Sequence, residues 1–180
     1  MRAGGGKAKG SAFERTLAKM ILKSAKRAGH RFSKEDCYRT PMSGGHVYAS
    51  KENPSDLVIS RKLLKLFPFT VEAKFHRKIG VQHFARPVHK HEKSWPEKRA
   101  IDQVLRANEK KKHKRFPIVL MKENRGEIFA ITTLPAIRAV IPNSGFPIHG
   151  LRFNYASESW IIVYFKEFLK YWRRELRKKR

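Results

Sequence analysis

Two carboxylates and a lysine stand in the first half of the chain, where they could act together. Asp56 opens a short apolar segment, and Glu72 and Lys74 interrupt the next one. Magnesium and manganese prefer hard oxygen ligands and usually bind through one or two carboxylates, water and substrate phosphate. Such an ion lowers the pKa of an attacking water and neutralises the charge that develops during phosphodiester hydrolysis. These residue types therefore indicate metal-assisted hydrolysis of a phosphodiester.

Residues 69–75 have the clearest strand pattern in the chain, because apolar and polar side chains alternate along them. Successive side chains of a strand point to opposite faces, so Glu72 and Lys74 are predicted to share one face. If residues 56–59 form a neighbouring strand, Asp56 and Glu72 can meet at one edge of the sheet. The Lys74 ammonium could then position the nucleophile or stabilise the charge on the phosphorus centre.

Each of these residues also has a simpler interpretation. Glu72 and Lys74 could form an ordinary ion pair on a sheet surface. The Glu-x-Lys pattern recurs at Glu109 and Lys111, although that copy lies in a polar run and not in an apolar strand. Aspartate favours turns, so Asp56 alone could be a turn residue.

The first helix is predicted to begin at Ser11 and to end at Gly29, which are typical residues for helix termini. Ser11 and Glu14 match a capping box, which would explain Glu14 without any chemistry. The glycine- and lysine-rich residues 1–10 are predicted to form a flexible basic arm. The helix is supported by an apolar stripe at helical spacing, formed by Phe13, Leu17, Met20, Ile21 and Ala28.

The rest of the chain predicts further helices and strands. A helix is predicted from Pro96, followed by a hairpin of residues 116–121 and 127–132 and a strand at residues 160–164. Residues 133–159 are rich in turn signals and receive no assignment. An amphipathic basic helix is predicted to close the chain, with its buried side formed by Phe165, Phe168, Leu169, Trp172 and Leu176.

This order of elements predicts the fold class. We expect a mixed α/β (α+β) domain with a central mixed β-sheet that is flanked by helices. A chain of 180 residues fits one domain. Residues 11–180 are predicted to form that domain, with a core at about residues 11–132 and a C-terminal extension at residues 133–180 that includes the basic helix.

Charge is the most unusual property of the chain. Lys and Arg number 41 against 15 Asp and Glu, which gives a formal net charge of +26. Such an imbalance destabilises a compact chain through self-repulsion and indicates a polyanionic partner such as nucleic acid. No membrane partner is expected, because no apolar run is long enough to span a bilayer. The single cysteine, Cys37, and the lack of an apolar secretion signal favour a cytoplasmic location.

The acidic and basic residues together resemble the signature of the PD-(D/E)XK nucleases. An acidic residue on a first helix is followed by an aspartate after a turn and by Glu-x-Lys in the next strand. More narrowly, residues 7–132 are similar to the archaeal-type Holliday junction resolvases, which also occur in phages. The segments that carry this similarity are residues 9–15, the loop 39–45, residues 54–57, and Gln103 with residues 116–119.

The resemblance implies an endonuclease that uses Mg²⁺, with Mn²⁺ able to substitute. Asp56, Glu72 and the Ala73 carbonyl would ligate the metal with help from Glu14, and Lys74 would act on the nucleophile or the transition state. Ser43, in a mobile glycine-bearing loop, would reach a phosphate at the crossover and complete the catalytic set. The predicted DNA contacts are Lys7, Lys9, Arg39, Ser43 and Gln103.

The resemblance also implies a partner and an assembly state. The substrate would be branched double-stranded DNA, and a two-fold symmetric homodimer would present two active sites to two strands of equal polarity. A phage-encoded enzyme would act in the host cytoplasm. The segment 76–94 and the chain beyond residue 133 have no place in the minimal family pattern.

Two other functions stay open on the sequence. A related PD-(D/E)XK nuclease could act in restriction, repair or replication on linear or flapped DNA. A basic nucleic-acid-binding protein without catalysis is the third alternative, although binding alone gives no reason to place Asp56, Glu72 and Lys74 together.

Overall fold

The computed structural model of the protein describes residues 5–41, 55–76, 96–109, 115–142 and 150–179. Its helices are α1 (Gly5–Arg27), α2 (Arg61–Leu64), α3 (Pro96–Glu109), α4 (Leu134–Val140) and α5 (Phe165–Lys178). Its strands are β1 (Cys37–Arg39), β2 (Leu57–Ile59), β3 (Phe69–His76), β4 (Phe116–Glu123), β5 (Ile128–Thr133), β6 (Leu151–Tyr155) and β7 (Glu158–Tyr164).

A five-stranded mixed sheet organises the molecule. Its strand order is β3-β4-β5-β7-β6, and β1 and β2 form a separate antiparallel pair. Strands β3 and β4 are parallel, whereas the other neighbours in the large sheet are antiparallel. The predicted mixed sheet with flanking helices is therefore confirmed, as is the predicted hairpin, which β4 and β5 form.

The sheet separates two apolar layers, and the alternation along β4 shows how. Ile118 and Leu120 are buried in the layer that holds α1, α2, α4 and α5. Val119 and Met121 point to the other face, where they pack with α3. A strand buried on both faces reads as a continuous apolar run, which is the pattern that residues 118–121 show.

Helix α3 connects the two parallel strands and is tied to both of them. The Thr70 hydroxyl of β3 donates to the Asn108 side-chain oxygen at 3.0 Å. The Asn108 amide in turn donates to the Arg115 carbonyl, just before β4, at 2.5 Å. The end of α3 thereby fixes where β4 begins, and the parallel register places Glu72 opposite Val119.

The start of α1 differs from the prediction. The helix begins at Gly5, so Ser11 is not its N-cap and residues 5–10 are helical instead of part of a flexible arm. Glu14 consequently lies inside the helix, and its predicted capping role is wrong. Glycine has the poorest helix propensity after proline, which is why the sequence predicts a later start. Adding a residue to an existing helix brings one more hydrogen bond, however, and here the helix continues through Gly10.

The C-terminal residues complete the sheet and its core instead of extending them. Strand β7 lies between β5 and β6 in the large sheet. The rings of Phe67 and Trp172 lie 5.1 Å apart between centroids, and the indole N–H of Trp172 donates to the Leu66 carbonyl at 2.9 Å. Both α4 and β6 fall in the stretch that the sequence left unassigned. None of the helices formed by the described residues has the length and apolar character needed to cross a membrane.

Replacement of Trp172 by alanine tests whether α5 belongs to the same folding unit. Trp172 is fully buried, so Trp172→Ala should lower the free energy of unfolding by about 3–5 kcal/mol. Urea denaturation followed by far-ultraviolet circular dichroism should show a single transition at a lower urea concentration than in wild type. Arg174→Ala, on the exposed side of the same helix with its guanidinium over the Tyr171 ring, should cost at most about 1 kcal/mol. A separate early transition for α5 alone would contradict this prediction.

Candidate active site

Strand β3 lies at the edge of the large sheet, and residues 55 and 56 cover part of that edge. The Ser55 hydroxyl donates to the Val71 carbonyl at 2.9 Å and accepts from the Val71 N–H at 3.0 Å. The Asp56 N–H also donates to the Val71 carbonyl at 2.9 Å. Strand β2 itself pairs with β1, so the meeting of Asp56 and Glu72 at this edge arises from Ser55 and Asp56, just before β2, and not from a β2–β3 ladder.

The carboxylate of Asp56 is held against the same edge. Its Oδ2 accepts from the Ala73 N–H at 2.7 Å. The N–H and carbonyl of one residue in a strand point to the same side, so the Ala73 carbonyl lies on this edge as well. Thr40 fixes the other side, since its N–H donates to the Asp56 carbonyl at 2.9 Å and its hydroxyl to the Ser55 carbonyl at 2.5 Å.

Glu72 and Lys74 share one face of β3, as strand alternation predicts. The Lys74 Nζ lies 2.5 Å from the Glu72 Oε1. The two side chains differ in exposure, which is 10% for Glu72 and 29% for Lys74. The ammonium therefore reaches solvent while the carboxylate beneath it is nearly enclosed.

The burial of two neighbouring carboxyl groups disturbs their titration. Burial is the largest cause that raises the pKa of Asp56, and the negative charge of Glu72 is the next; together they bring it to about 7. The hydrogen bond from the Ala73 N–H acts in the opposite direction and lowers this pKa. Burial also raises the pKa of Glu72, and Lys74 opposes that shift. The negative charge of Glu14 also contributes to the raised pKa of Asp56 and of Glu72.

Glu14 comes to this region from α1 and is paired with Arg39 of β1. The Arg39 Nε donates to the Glu14 Oε2 at 2.6 Å, and both side chains are largely buried. This ion pair links the first helix to the small sheet, whose strand β2 directly follows Asp56. Glu14 thus has a structural partner in addition to its electrostatic influence on Asp56 and Glu72.

The donor set suits a hard divalent cation. Asp56, Glu72 and the Ala73 carbonyl offer oxygen atoms, which Mg²⁺ and Mn²⁺ prefer. Within the described residues no three His, Cys, Asp or Glu side chains gather into a ready-made metal cluster. Two carboxylates with one carbonyl agree with a magnesium-type site that keeps several waters. A bound cation would also stabilise the ionised forms that burial and mutual repulsion disfavour.

The other predicted site residues are not joined to this group by any described contact. Lys9 is exposed on α1, and Gln103 is exposed on α3. Lys7 lies within α1. Ser43 lies outside the described residues. Sequence reasoning missed Ser55 and Thr40, both buried polar residues, although Ser55 directly precedes Asp56 in the chain.

The mixed sheet and its carboxylate-lysine edge define a nuclease core of the PD-(D/E)XK class. A model of the family described as phage putative PDDEXK endonuclease matches residues 5–178, and the chain belongs to that family. It is therefore a nuclease, and nucleases of this class generally use divalent metals. Neither the curated proteins nor the solved structures that were compared with the chain contain a match.

The raised pKa of Asp56 predicts that the free energy of unfolding of the metal-free protein decreases as the pH rises. This carboxyl has a pKa of about 7 in the fold against its ordinary value of 3.8, so between these two values the folded chain keeps a proton that the unfolded chain releases. Its contribution to stability is complete below the lower value and is lost as the pH rises through about 7. Asp56→Asn cannot ionise, so the variant should be more stable than wild type at pH 8 by roughly 2–4 kcal/mol.

Thermal unfolding between pH 4 and pH 8, with a chelator present, measures this difference, which should grow with pH. Asp36→Asn is the matched control. Hydrogen bonds from the Ser60 hydroxyl and the Ser33 N–H lower the pKa of Asp36, so its replacement should destabilise the protein as the pH rises. Equal stability of wild type and Asp56→Asn across this range would contradict the prediction.

Proposed function

We propose that this nuclease is a metal-dependent, structure-selective DNA endonuclease that resolves four-way (Holliday) junctions by phosphodiester hydrolysis. Mg²⁺ is the proposed cofactor, with Mn²⁺ able to substitute. The proposal is carried by one observation: the half-buried Asp56 and the buried Glu72 lie together at the edge of β3, with the Lys74 ammonium 2.5 Å from Glu72. A purely structural ion pair would not require the second carboxylate.

In this proposal Asp56, Glu72 and the Ala73 carbonyl would hold the cation at the edge of the sheet, with Glu14 nearby. A bound divalent ion would lower the pKa of the attacking water and neutralise charge on the phosphate. Because the Ala73 N–H fixes Asp56, little reorganisation is needed before the reaction. The partly exposed Lys74 ammonium can release Glu72 and donate to a non-bridging oxygen of the scissile phosphate.

Arg39 has two proposed roles that need not coincide. Its guanidinium orients Glu14 in the free protein through the 2.6 Å contact. If Glu14 helped to hold a bound cation, Arg39 would be available to donate to a DNA phosphate, which its planar fork suits. This exchange reconciles the predicted DNA contact with the ion pair.

Selectivity for junctions is supported by the resemblance in residues 39–45 and by Gln103, which is exposed on α3. The net charge of +26 supports a nucleic-acid substrate in general. A two-fold homodimer would place two such sites on strands of equal polarity. Cleavage of linear or flapped DNA by the same site is the alternative outcome.

A cleavage assay separates these functions. The protein is incubated with a mobile four-way junction and with a linear duplex of matching sequence, in Mg²⁺, in Mn²⁺ and in excess chelator. We expect symmetric paired nicks near the crossover only when a divalent ion is present. Equal cleavage of the linear duplex would overturn junction selectivity, and no cleavage with any divalent metal would overturn the proposal as a whole.

Substitution of the buried carboxylates should separate cutting from binding. Asp56→Asn and Glu72→Gln keep the side-chain shape but remove the charges that hold the cation, so cleavage should fall about a hundredfold or more. Junction affinity in chelator should change less than about threefold, since phosphate contacts supply most of it. Gel-shift and cleavage assays on the same junction measure both quantities.

Glu109→Gln is the matched control, because Glu109 belongs to the second Glu-x-Lys sequence and is exposed at the end of α3. This variant should cut and bind as wild type does. Loss of junction binding in proportion to cutting in the Asp56 or Glu72 variants would show that these residues are structural. Circular dichroism of each variant identifies any that fails to fold.

A further inference from the structure

A strongly basic cleft lies between α1 and α5, outside the carboxylate site. Its cavity of about 190 Å³ is lined by Lys23 and Arg27 of α1 and by Lys166, Lys170 and Arg173 of α5, together with Ser24. A second cavity of about 310 Å³ shares Arg27 with the first and adds Lys26 and Arg177. The two cavities together form a cationic surface along the seam of the two helices.

The cations reach the cleft because of their spacing. Lys23 and Arg27 are four residues apart on α1, so they lie on one side of that helix. Lys166, Lys170 and Arg173 follow the same helical spacing on α5. Each helix thus presents a basic stripe, and packing of α1 against α5 sets the two stripes beside one another.

Only part of this charge is neutralised within the protein. Lys166 is paired with Glu127 at 3.0 Å, and Lys170 with Glu167 at 3.1 Å. No carboxylate in the described part of the chain forms an ion pair with the other three cations of the first cavity, which are Lys23, Arg27 and Arg173. Like charges that face one another raise the free energy of the folded state, and an anion between them would lower it.

The Ser24 hydroxyl is a second, independent sign that the cleft binds a ligand, because this donor has no hydrogen-bond acceptor among the described residues. The residue is 8% exposed and lines the cleft, yet its hydroxyl forms no hydrogen bond to any residue that the structure describes. A buried hydroxyl normally has a hydrogen-bond partner, because an unpaired buried donor is unfavourable. A phosphate oxygen seated among the cations would accept from this hydroxyl.

We propose that the cleft binds a phosphate of the DNA backbone at a distance from the phosphate that is cut. This rests on the proposed function, since it takes DNA as the substrate. From Glu14 to Arg27 the axis of α1 rises about 20 Å, which corresponds to roughly six nucleotides of one DNA strand. The cleft therefore holds the flank of a DNA arm and lengthens the contact of the protein with its substrate.

The test compares two triple variants that lose the same charge. Lys23→Gln, Arg27→Gln and Arg173→Gln together remove the three cations of the first cavity that form no ion pair with a described carboxylate. Arg61→Gln, Lys65→Gln and Arg138→Gln remove three exposed cations from α2, its C-terminal end and α4, and form the control. Binding of a short linear duplex is measured by fluorescence anisotropy in chelator, over a series of salt concentrations.

If three phosphate contacts are lost, the slope of log affinity against log salt should fall by about 2 to 3 in the cleft variant. The control variant should change the slope by less than about 1. Equal slopes and equal affinities for the two variants would overturn the proposal, because the cleft would then contribute only general charge.

Ser24→Ala gives a readout that a structural serine would not. Loss of a hydrogen bond to a charged group should weaken duplex binding roughly threefold to tenfold. The melting temperature of the DNA-free protein should stay the same or rise, because an unpaired buried hydroxyl is removed. A lower melting temperature with unchanged DNA binding would overturn the role of Ser24 in the cleft.

These measurements do not depend on catalysis, so the two proposals can fail separately. If the wild-type protein cuts no DNA but the two triple variants show the expected difference in salt slope, the nuclease mechanism is overturned and the proposal of phosphate binding in the cleft stands. If the wild-type protein resolves junctions but the two triple variants bind DNA alike, the nuclease mechanism stands and the proposal of phosphate binding in the cleft is overturned.

Discussion

The edge of β3 imposes a physical constraint on the rest of the structure, because the half-buried carboxyl group of Asp56 and the buried one of Glu72 lie side by side there. An edge strand needs partners for its outward N–H and carbonyl groups, and Ser55 and Asp56 supply them. The same hydrogen bonds bring the Asp56 carboxylate to Glu72. The same contacts therefore cover the strand edge and assemble the site. The hydrogen bonds from Thr40 to residues 55 and 56 stabilise this arrangement.

Helices on both faces of the sheet stabilise that edge. Helix α3 and the Asn108 bonds set the register of β3 against β4. On the other face, α1 carries Glu14 to the site while α5 packs its aromatic side chains against the strand that bears Glu72. A chain that ended before β7 would lose an interior strand of the sheet and the α5 side of the core.

Local patterns predicted much of this fold, and non-local bonds account for the remainder. Alternation along residues 69–75 identified β3 and the shared face of Glu72 and Lys74, because that period is a property of the strand itself. The capture of the β3 edge by Ser55 joins residues 16 positions apart, and no local pattern encodes it. The glycines before Ser11 concealed the start of α1. Strand β6 and helix α4 were missed because turn-forming residues surround them.

The carboxylate edge and the basic cleft share one energetic property. At the first, negative groups are buried together and their pKa values rise. At the second, cations of two helices face one another and the Ser24 hydroxyl has no partner among the described residues. Each arrangement is unfavourable in the free protein and would be relieved by a ligand of opposite charge, a cation in one case and phosphate in the other. Natural proteins tolerate such local instability chiefly where function requires it, and the two proposals together assign both regions to one phosphate-bearing substrate.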